Sequence, residues 1–243
     1  MTLRTIRVLL CLLALLAAPA RAQTMAPHPA MDMEAPWNAS AEIERLEGQV
    51  GAGRATVRLD GHAWIGTDED RLWFKTDSRL GPSGAIEGRQ ELLWGHAAST
   101  FFDVLGGAHV DISRDVTRTW LAFGAQGMAL HFIDVEAFAY AGDRGRFAGR
   151  LRLATDLAFT QDLVLQPFVE ANAYSRSDLA GGTAAGLSDL EAGLLLRYEV
   201  TRGFAPYIGL AYEARYGDAA RSARAEGEQA QRLRLLFGLR LAF

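Results

Sequence analysis

The stretch RLRLLFGLRLAF (residues 232–243) decides the fold of this chain. Every second position holds a large apolar side chain: Leu233, Leu235, Phe237, Leu239, Leu241 and Phe243. The positions between them hold Arg232, Arg234, Leu236, Gly238, Arg240 and Ala242. This period of two predicts a β-strand with one apolar and one largely polar face, because successive side chains of a strand leave opposite faces.

The same alternation recurs upstream and predicts ten strands in all, near residues 70–79, 88–98, 101–112, 117–128, 131–142, 146–159, 163–175, 187–199, 203–216 and 231–243. Charges avoid the apolar face, where each would cost roughly 2–4 kcal/mol against lipid. Short and longer connections alternate, as in bacterial barrels, and a final aromatic residue such as Phe243 is typical of their last strand. We therefore predict a transmembrane antiparallel up-and-down β-barrel of about ten strands, with a range of eight to twelve.

The N-terminus predicts export from the cytoplasm. Arg4 and Arg7 precede an apolar run, and Ala20-Arg21-Ala22 matches a signal-peptidase site before Gln23. Cleavage between Ala22 and Gln23 would also remove Cys11, the one cysteine of the chain. The predicted organisation is a signal peptide (1–22), a flexible periplasmic tail containing Met and Pro (23–49), a periplasmic connecting segment (50–70) and a barrel in the bacterial outer membrane (71–243).

The residues do not predict an enzyme. The nucleophile-elbow, phosphate-loop and HExxH patterns are all missing from the sequence. His109 shares a strand face with Asp103 and Asp111, but no nucleophile accompanies it, so a barrel hydrolase is the weaker alternative. A net charge of −4 with no basic run argues against a nucleic-acid partner.

A cluster of metal-ligating side chains lies in the predicted tail, where MAPHPAMDM (25–33) holds Met25, His28, Met31 and Met33. Thioethers suit Cu(I), and imidazole accepts Cu(II) or Cu(I), so this set favours copper over magnesium or calcium. Inside the predicted barrel, His109, Asp103 and Asp111 are further candidate metal ligands.

The inward face of the predicted strands is strongly charged. Its members include Asp134, Glu136, Glu170, Asp189, Glu191, Arg234 and Arg240. Isolated charges are costly to bury, so these side chains must form ion pairs, hold water or bind ions. Two interpretations follow: a plug of ion pairs that stabilises a narrow barrel, or a cation path lined by carboxylates.

Several motifs resemble the copper-resistance protein B family. The run WIGTDEDRLWFKT (64–76) is similar to the family signature W-x-G-x-D-E-x-R-L-W-x-K-T. Further matches are ELLW (91–94), WLAFGAQG (120–127), QPFVE (166–170), GLSDLEAG (186–193), FAPYIG (204–209), AEGE (225–228) and GLR (238–240). The resemblance extends from about Met31 to Phe243.

The resemblance implies an outer-membrane protein of a periplasmic copper-resistance system, which binds copper and sequesters it or passes it across the outer membrane. Its expected partners are copper ions, outer-membrane lipid and a periplasmic copper-resistance protein. Family members often carry long Met/His-rich N-terminal repeats, whereas this chain has one histidine, His28, in a short tail. The alternative is a general narrow pore, or a structural barrel, without metal specificity.

Overall fold

The structure, a computed structural model, describes residues 37–51, 54–81, 86–113, 116–178, 181–225 and 227–243. In these residues one antiparallel sheet closes on itself, because the first strand pairs with the last. The strands are β1 (Asn38–Gly51), β2 (Arg54–Gly66), β3 (Asp70–Leu80), β4 (Ile86–Ala97), β5 (Phe102–Ile112), β6 (Thr117–Ala129), β7 (Ile133–Gly142), β8 (Phe147–Thr155), β9 (Leu157–Ala158), β10 (Leu163–Tyr174), β11 (Gly186–Tyr198), β12 (Phe204–Arg215) and β13 (Gln231–Ala242).

The barrel wall has twelve strand positions, here called staves. There are twelve and not thirteen because β9 is a two-residue extension of β8 that pairs with the same neighbour, β10. Each remaining strand pairs with its neighbours in sequence, and β10 pairs with β11 to complete the wall. The connections β2–β3, β4–β5, β6–β7, β9–β10 and β11–β12 lie at one end, here named the turn end. The opposite end, the loop end, carries the long segments 175–185 and 216–230.

The predicted all-β antiparallel barrel is confirmed. Its wall has twelve staves, two more than the ten predicted strands and at the upper end of the predicted range. The ten predicted strands correspond to β3–β8 with its extension β9, and to β10–β13. The N-terminal boundary of the barrel was wrong: β1 contains residues 38–49 of the predicted tail and the first two residues of the predicted connecting segment, and β2 lies wholly within that segment. A register shift between Ile43 and Leu46 breaks the period of two in β1, which hides the strand in the sequence. The predicted signal peptide and residues 23–36 lie outside the described residues.

The strands turn apolar side chains outward and polar ones inward. On β13, Leu233, Leu235 and Phe237 are exposed on the outside, whereas Arg234 is 5% exposed inside the barrel. The predicted two faces of this strand are therefore correct. An apolar outer face with a charged interior is the arrangement of a barrel that crosses a bilayer.

The interior also contains packed aromatic side chains, which occupy space left by glycines on the neighbouring strands. A Cβ at Gly238 would lie 2.5 Å from Cζ and Oη of Tyr207, and one at Gly193 would lie 2.7 Å from Cε1 of Phe168. One apolar cluster, with Trp73, Trp120 and Phe138, lines β3–β7; a second, with Phe168, lines β8 and β10–β13. The lumen is consequently filled by side chains over much of its length.

A short helix, α1 (Gly217–Ala225), lies at the loop end between β12 and β13. Its buried face consists of Ala219, Ala220 and Ala223 and contacts β11. Among the residues that the structure describes, no helix is long and apolar enough to cross a membrane.

Candidate functional site

An ion-pair layer crosses the middle of the lumen. Arg58 on β2 binds Asp77 with two hydrogen bonds of 2.8 and 2.9 Å, and its Nη1 lies 3.2 Å from Glu191 Oε1 on β11. Strands β12, β13 and β1 separate β11 from β2 on the shorter way round the wall. Arg79 on β3 also reaches Glu191, at 2.7 Å. The two contacts with Glu191 therefore join distant parts of the wall, whereas the Arg58–Asp77 pair joins neighbouring strands.

Arg89 on β4 extends the same layer. It contacts Asp77 at 3.0 Å and also hydrogen-bonds Glu170 on β10. Strands β5 to β8 lie between β4 and β10, so this side chain also bridges distant walls.

A second layer of ion pairs lies nearer the turn end. Lys75 contacts Glu136 at 3.2 Å, with β4, β5 and β6 between their strands. Arg152 on β8 contacts Glu44 on β1 at 2.6 Å, and Glu44 also lies 3.2 Å from His62 Nδ1. These side chains surround a small inner cavity of about 20 Å³. The lumen is thus crossed by ion pairs at two levels, in agreement with the plug interpretation.

A larger cavity, here named the vestibule, opens at the loop end with a volume of about 950 Å³. Its wall includes Trp120, Tyr174 and one side of α1. Asp178, in the 175–185 loop, accepts hydrogen bonds from Arg118 Nε at 2.8 Å and from Arg146 Nη1 at 2.9 Å. The hydrogen bond from Arg118 holds the pKa of the Asp178 carboxyl below its ordinary value. Both signs of charge therefore line this cavity.

His109 lies in a hydrogen-bonded chain between the two cavities. Its Nδ1 is 2.8 Å from Glu91 Oε1 and its Nε2 is 2.9 Å from Asp111 Oδ1. Glu91 lines the inner cavity and also accepts a 2.9 Å hydrogen bond from the Tyr140 hydroxyl, whereas Asp111 lines the vestibule. Ionised carboxylates only accept hydrogen bonds, so an imidazole that serves both carries two protons and offers no lone pair to a metal.

The predicted metal ligands are distributed unevenly. The structure brings His109 and Asp111 together, whereas Asp103 contacts Arg71 near the turn end. Asp103 lies six residues from His109 along β5, roughly 20 Å at the usual rise of a strand. Met25, His28, Met31 and Met33 lie outside the described residues.

The predicted lumen charges occupy three levels. Glu170 and Glu191 belong to the middle layer, and Asp189 accepts a 2.7 Å hydrogen bond from Asn172 at the vestibule. Arg234 pairs with Glu213 on the loop-end side of that layer. The remaining three lie toward the turn end: Glu136 in the second layer, Arg240 paired with Glu42, and the more exposed Asp134.

The contribution of β1 and β2 to the lumen was not predicted from the sequence. Glu44, Arg45, Glu47, Arg58, Asp60 and His62 all point into the lumen and take part in its ion pairs and hydrogen bonds. The signal was present in residues 56–64, where Thr56, Arg58, Asp60, His62 and Trp64 alternate with Val57, Leu59, Gly61 and Ala63.

The described residues hold no group of three or more His, Cys, Asp or Glu side chains arranged to bind a metal ion. Their one methionine is Met128, which is 41% exposed on β6 near the turn end. Within the described residues, most lumen carboxylates are already paired with arginine, lysine or histidine, and the one thioether, on the inward face of β6, has no second thioether beside it.

Comparison with solved structures shows the fold. The chain is similar to a NanC porin (TM-score 0.56, 12% identity, 84% of this chain and 99% of that one). It is also similar to a KdgM porin solved in complex with disordered oligogalacturonate (TM-score 0.53, 10% identity, 84% and 99%). The porin-like barrel and the apolar outer face together place the chain in the outer membrane.

Sequence comparison shows the family. Residues 37–243 match the family described as copper resistance protein B precursor (CopB). The copper resistance protein B homolog of Pseudomonas syringae pv. tomato (strain ATCC BAA-871 / DC3000) is 42% identical over 200 residues, which are 82% of this chain and 68% of that protein. Copper resistance protein B of Escherichia coli is 36% identical over 201 residues, 83% and 68% of the two chains. The chain therefore belongs to the copper resistance protein B family.

Proposed function

We propose that this protein binds copper ions at the outer membrane, as part of a periplasmic copper-resistance system, and sequesters them or passes them across that membrane. Membership of the copper resistance protein B family is the observation that carries the proposal. The protein acts without catalysis, and its copper is cargo rather than a cofactor.

The soft ligands for this copper lie in residues 25–33. Of the five methionines, Met1 falls in the predicted signal peptide and Met128 is the one methionine of the described residues, on the inward face of β6 at the turn end, which leaves Met25, Met31 and Met33. Together with His28 they supply the thioethers and imidazole that Cu(I) prefers. This segment precedes β1, which begins at the turn end of the barrel.

His109 and Asp111 form the second candidate ligand pair, suited to Cu(II). Copper would bind there only by displacing a proton from the imidazole, because both ring nitrogens already face carboxylates. A metal bound to this pair would not reach Asp103. Copper retention at this site should therefore be weaker than at the methionine segment.

Metal analysis of the purified protein tests the proposal. The mature chain is loaded separately with Cu(I) and Cu(II), dialysed, and its copper content is measured by atomic emission. We expect retained Cu(I) that falls in the variant carrying Met25→Leu, Met31→Leu and Met33→Leu. Met128→Leu is the matched control, because it removes a thioether outside that segment.

The outcomes separate the ligand assignment from the function. Equal Cu(I) retention by the triple variant and the Met128→Leu control would contradict the assignment to residues 25–33. Absence of retained copper in the unmodified protein, in both oxidation states, would contradict copper binding itself and favour the general narrow pore.

A further inference from the structure

The vestibule and the inner cavity share two wall residues, Asp77 and Arg89. No other residue lines both cavities. The vestibule extends toward the loop end, and the wall of the inner cavity includes His62 and Lys75. The 3.0 Å ion pair between Asp77 and Arg89 is therefore the partition between the two spaces.

The two members of this pair are held differently. Asp77 is fixed by Arg58 through two hydrogen bonds on its own side of the lumen, independently of Arg89. The Arg89 guanidinium instead spans to Glu170 on the far wall. Among the described residues, Glu170 accepts one other hydrogen bond, a long one of 3.3 Å from Asn172. Removing the Arg89 charge would therefore leave Asp77 in place and leave Glu170 without its ion-pair partner.

We propose that Arg89 is the residue that sets ion selectivity in this lumen, by holding cations in the vestibule out of the inner cavity. Asp77, Arg89 and Glu170 all line the vestibule, and a cation can pass the partition only by displacing the Arg89 guanidinium from these two carboxylates. The effective dielectric constant of a protein interior is low. One charge beside the path of an ion therefore changes the rate of ion entry by roughly several-fold to tens of fold. The assignment concerns small cations in general and holds whether or not the protein retains copper.

A reactive thiol in the inner cavity reports on this barrier. Cys11 is the one cysteine of the chain, so Cys11→Ala gives a thiol-free background. His62→Cys then places one thiol below the partition, and Ser222→Cys places one in the vestibule. Each protein is reconstituted in lipid vesicles with its loop end facing outward and is exposed from outside to Ag⁺ or to the small neutral reagent methyl methanethiosulfonate, so that Ag⁺ reaches position 62 through the vestibule. Free thiol remaining at each time is counted with a fluorescent maleimide after unfolding.

The measured quantity is the ratio of the Ag⁺ rate to the neutral-reagent rate at position 62. We expect Arg89→Gln to raise this ratio by about tenfold or more, because it removes a positive charge and exposes a negative one. Arg89→Lys, which retains the charge, should leave the ratio near its starting value. Arg118→Gln is the matched control, since it removes an arginine from the vestibule wall but not from the partition.

Two results would overturn the assignment. One is an unchanged ratio in Arg89→Gln; the other is Ag⁺ reacting at position 62 as fast as at position 222 while Arg89 is intact. If Arg89→Gln does not fold, as judged by loss of the compact barrel band on unheated gels, Arg89→Gln combined with Glu170→Gln removes both charges of that ion pair. The double variant should still raise the ratio of the Ag⁺ rate to the neutral-reagent rate, by less than Arg89→Gln alone. An unchanged ratio in the double variant would contradict the proposal.

Discussion

Arg58 and Asp77 form a two-pronged ion pair across β2 and β3 in the middle of the barrel, with Nε–Oδ1 and Nη2–Oδ2 distances of 2.8 and 2.9 Å. Arg58 is 1% exposed and also contacts Glu191. We expect Arg58→Met to lower the free energy of unfolding by about 3 kcal/mol, because it leaves two buried carboxylates short of a partner. The loss in free energy of unfolding is measured by denaturant unfolding of the barrel in detergent.

The matched control for that prediction is Arg118→Met at the vestibule. Arg118 makes a similar 2.8 Å contact with Asp178, but a third of its side chain is exposed. Water and salt screen an exposed pair, so the loss should be much smaller than for Arg58→Met. Equal losses for the two variants would show that the central layer does not stabilise the barrel more than a surface pair does.

Apart from β2, the strands that keep an uninterrupted period of two were predicted from the sequence. Leu233 to Phe243 shows this most clearly, since each outward side chain is apolar and each inward one is charged, small or packed. β1 escaped prediction because the register shift near Ile43 changes which positions face inward. An irregularity of this kind is fixed by the pairing of β1 with β13 and β2, which a local pattern does not contain.

The inward direction of the charges was also predictable, but their partners were not. Arg79 and Glu191 are separated by 112 residues in the chain, and their contact depends on the diameter of the closed barrel. The number of staves sets that diameter. Without β1 and β2 in the wall, the cross-lumen pairs of Arg58, Glu44 and Arg152 could not be foreseen.

Gly238 is required because the ring of Tyr207 packs against its backbone. A Cβ at this position would lie 2.5 Å from the Tyr207 hydroxyl oxygen, whose hydrogen bond to Glu47 is 2.8 Å long. We expect Gly238→Ala to destabilise the barrel by about 1–3 kcal/mol through overpacking. Gly149→Ala is the control: its Cβ would have one neighbour, Phe138 O at an ordinary 3.7 Å. Unfolding midpoints that fall equally in both variants would contradict this explanation.

Asp178 makes the stability of the loop end depend on pH. The hydrogen bond from Arg118 lowers the pKa of Asp178 in the folded protein below its unfolded value of about 3.9. A carboxyl with a lowered pKa stabilises the fold above the unfolded pKa, and this contribution is lost as pH falls through the folded pKa. The difference in Tm between the native protein and Asp178→Asn should therefore be present at neutral pH and vanish in strong acid.

The control for the pH experiment is Asp68→Asn, which removes a carboxylate from the exposed β2–β3 turn. Its effect on Tm should be small throughout the titration. A native-minus-Asp178→Asn difference that persists in strong acid would show that packing of the side chain, rather than its charge, stabilises the loop.

The cross-lumen ion pairs predict that uncharged sugars pass slowly. A neutral solute gains nothing from the charges and must break desolvated pairs such as Arg79–Glu191 and Lys75–Glu136 to pass both layers. Proteoliposomes containing the barrel should therefore swell in arabinose or glucose at nearly the rate of protein-free vesicles, whereas vesicles with a general porin swell fast. Rapid swelling would mean that the two layers open readily in a bilayer. It would then favour the general narrow pore over a metal-specific barrel, because a lumen that admits sugars cannot discriminate among hydrated cations by these pairs.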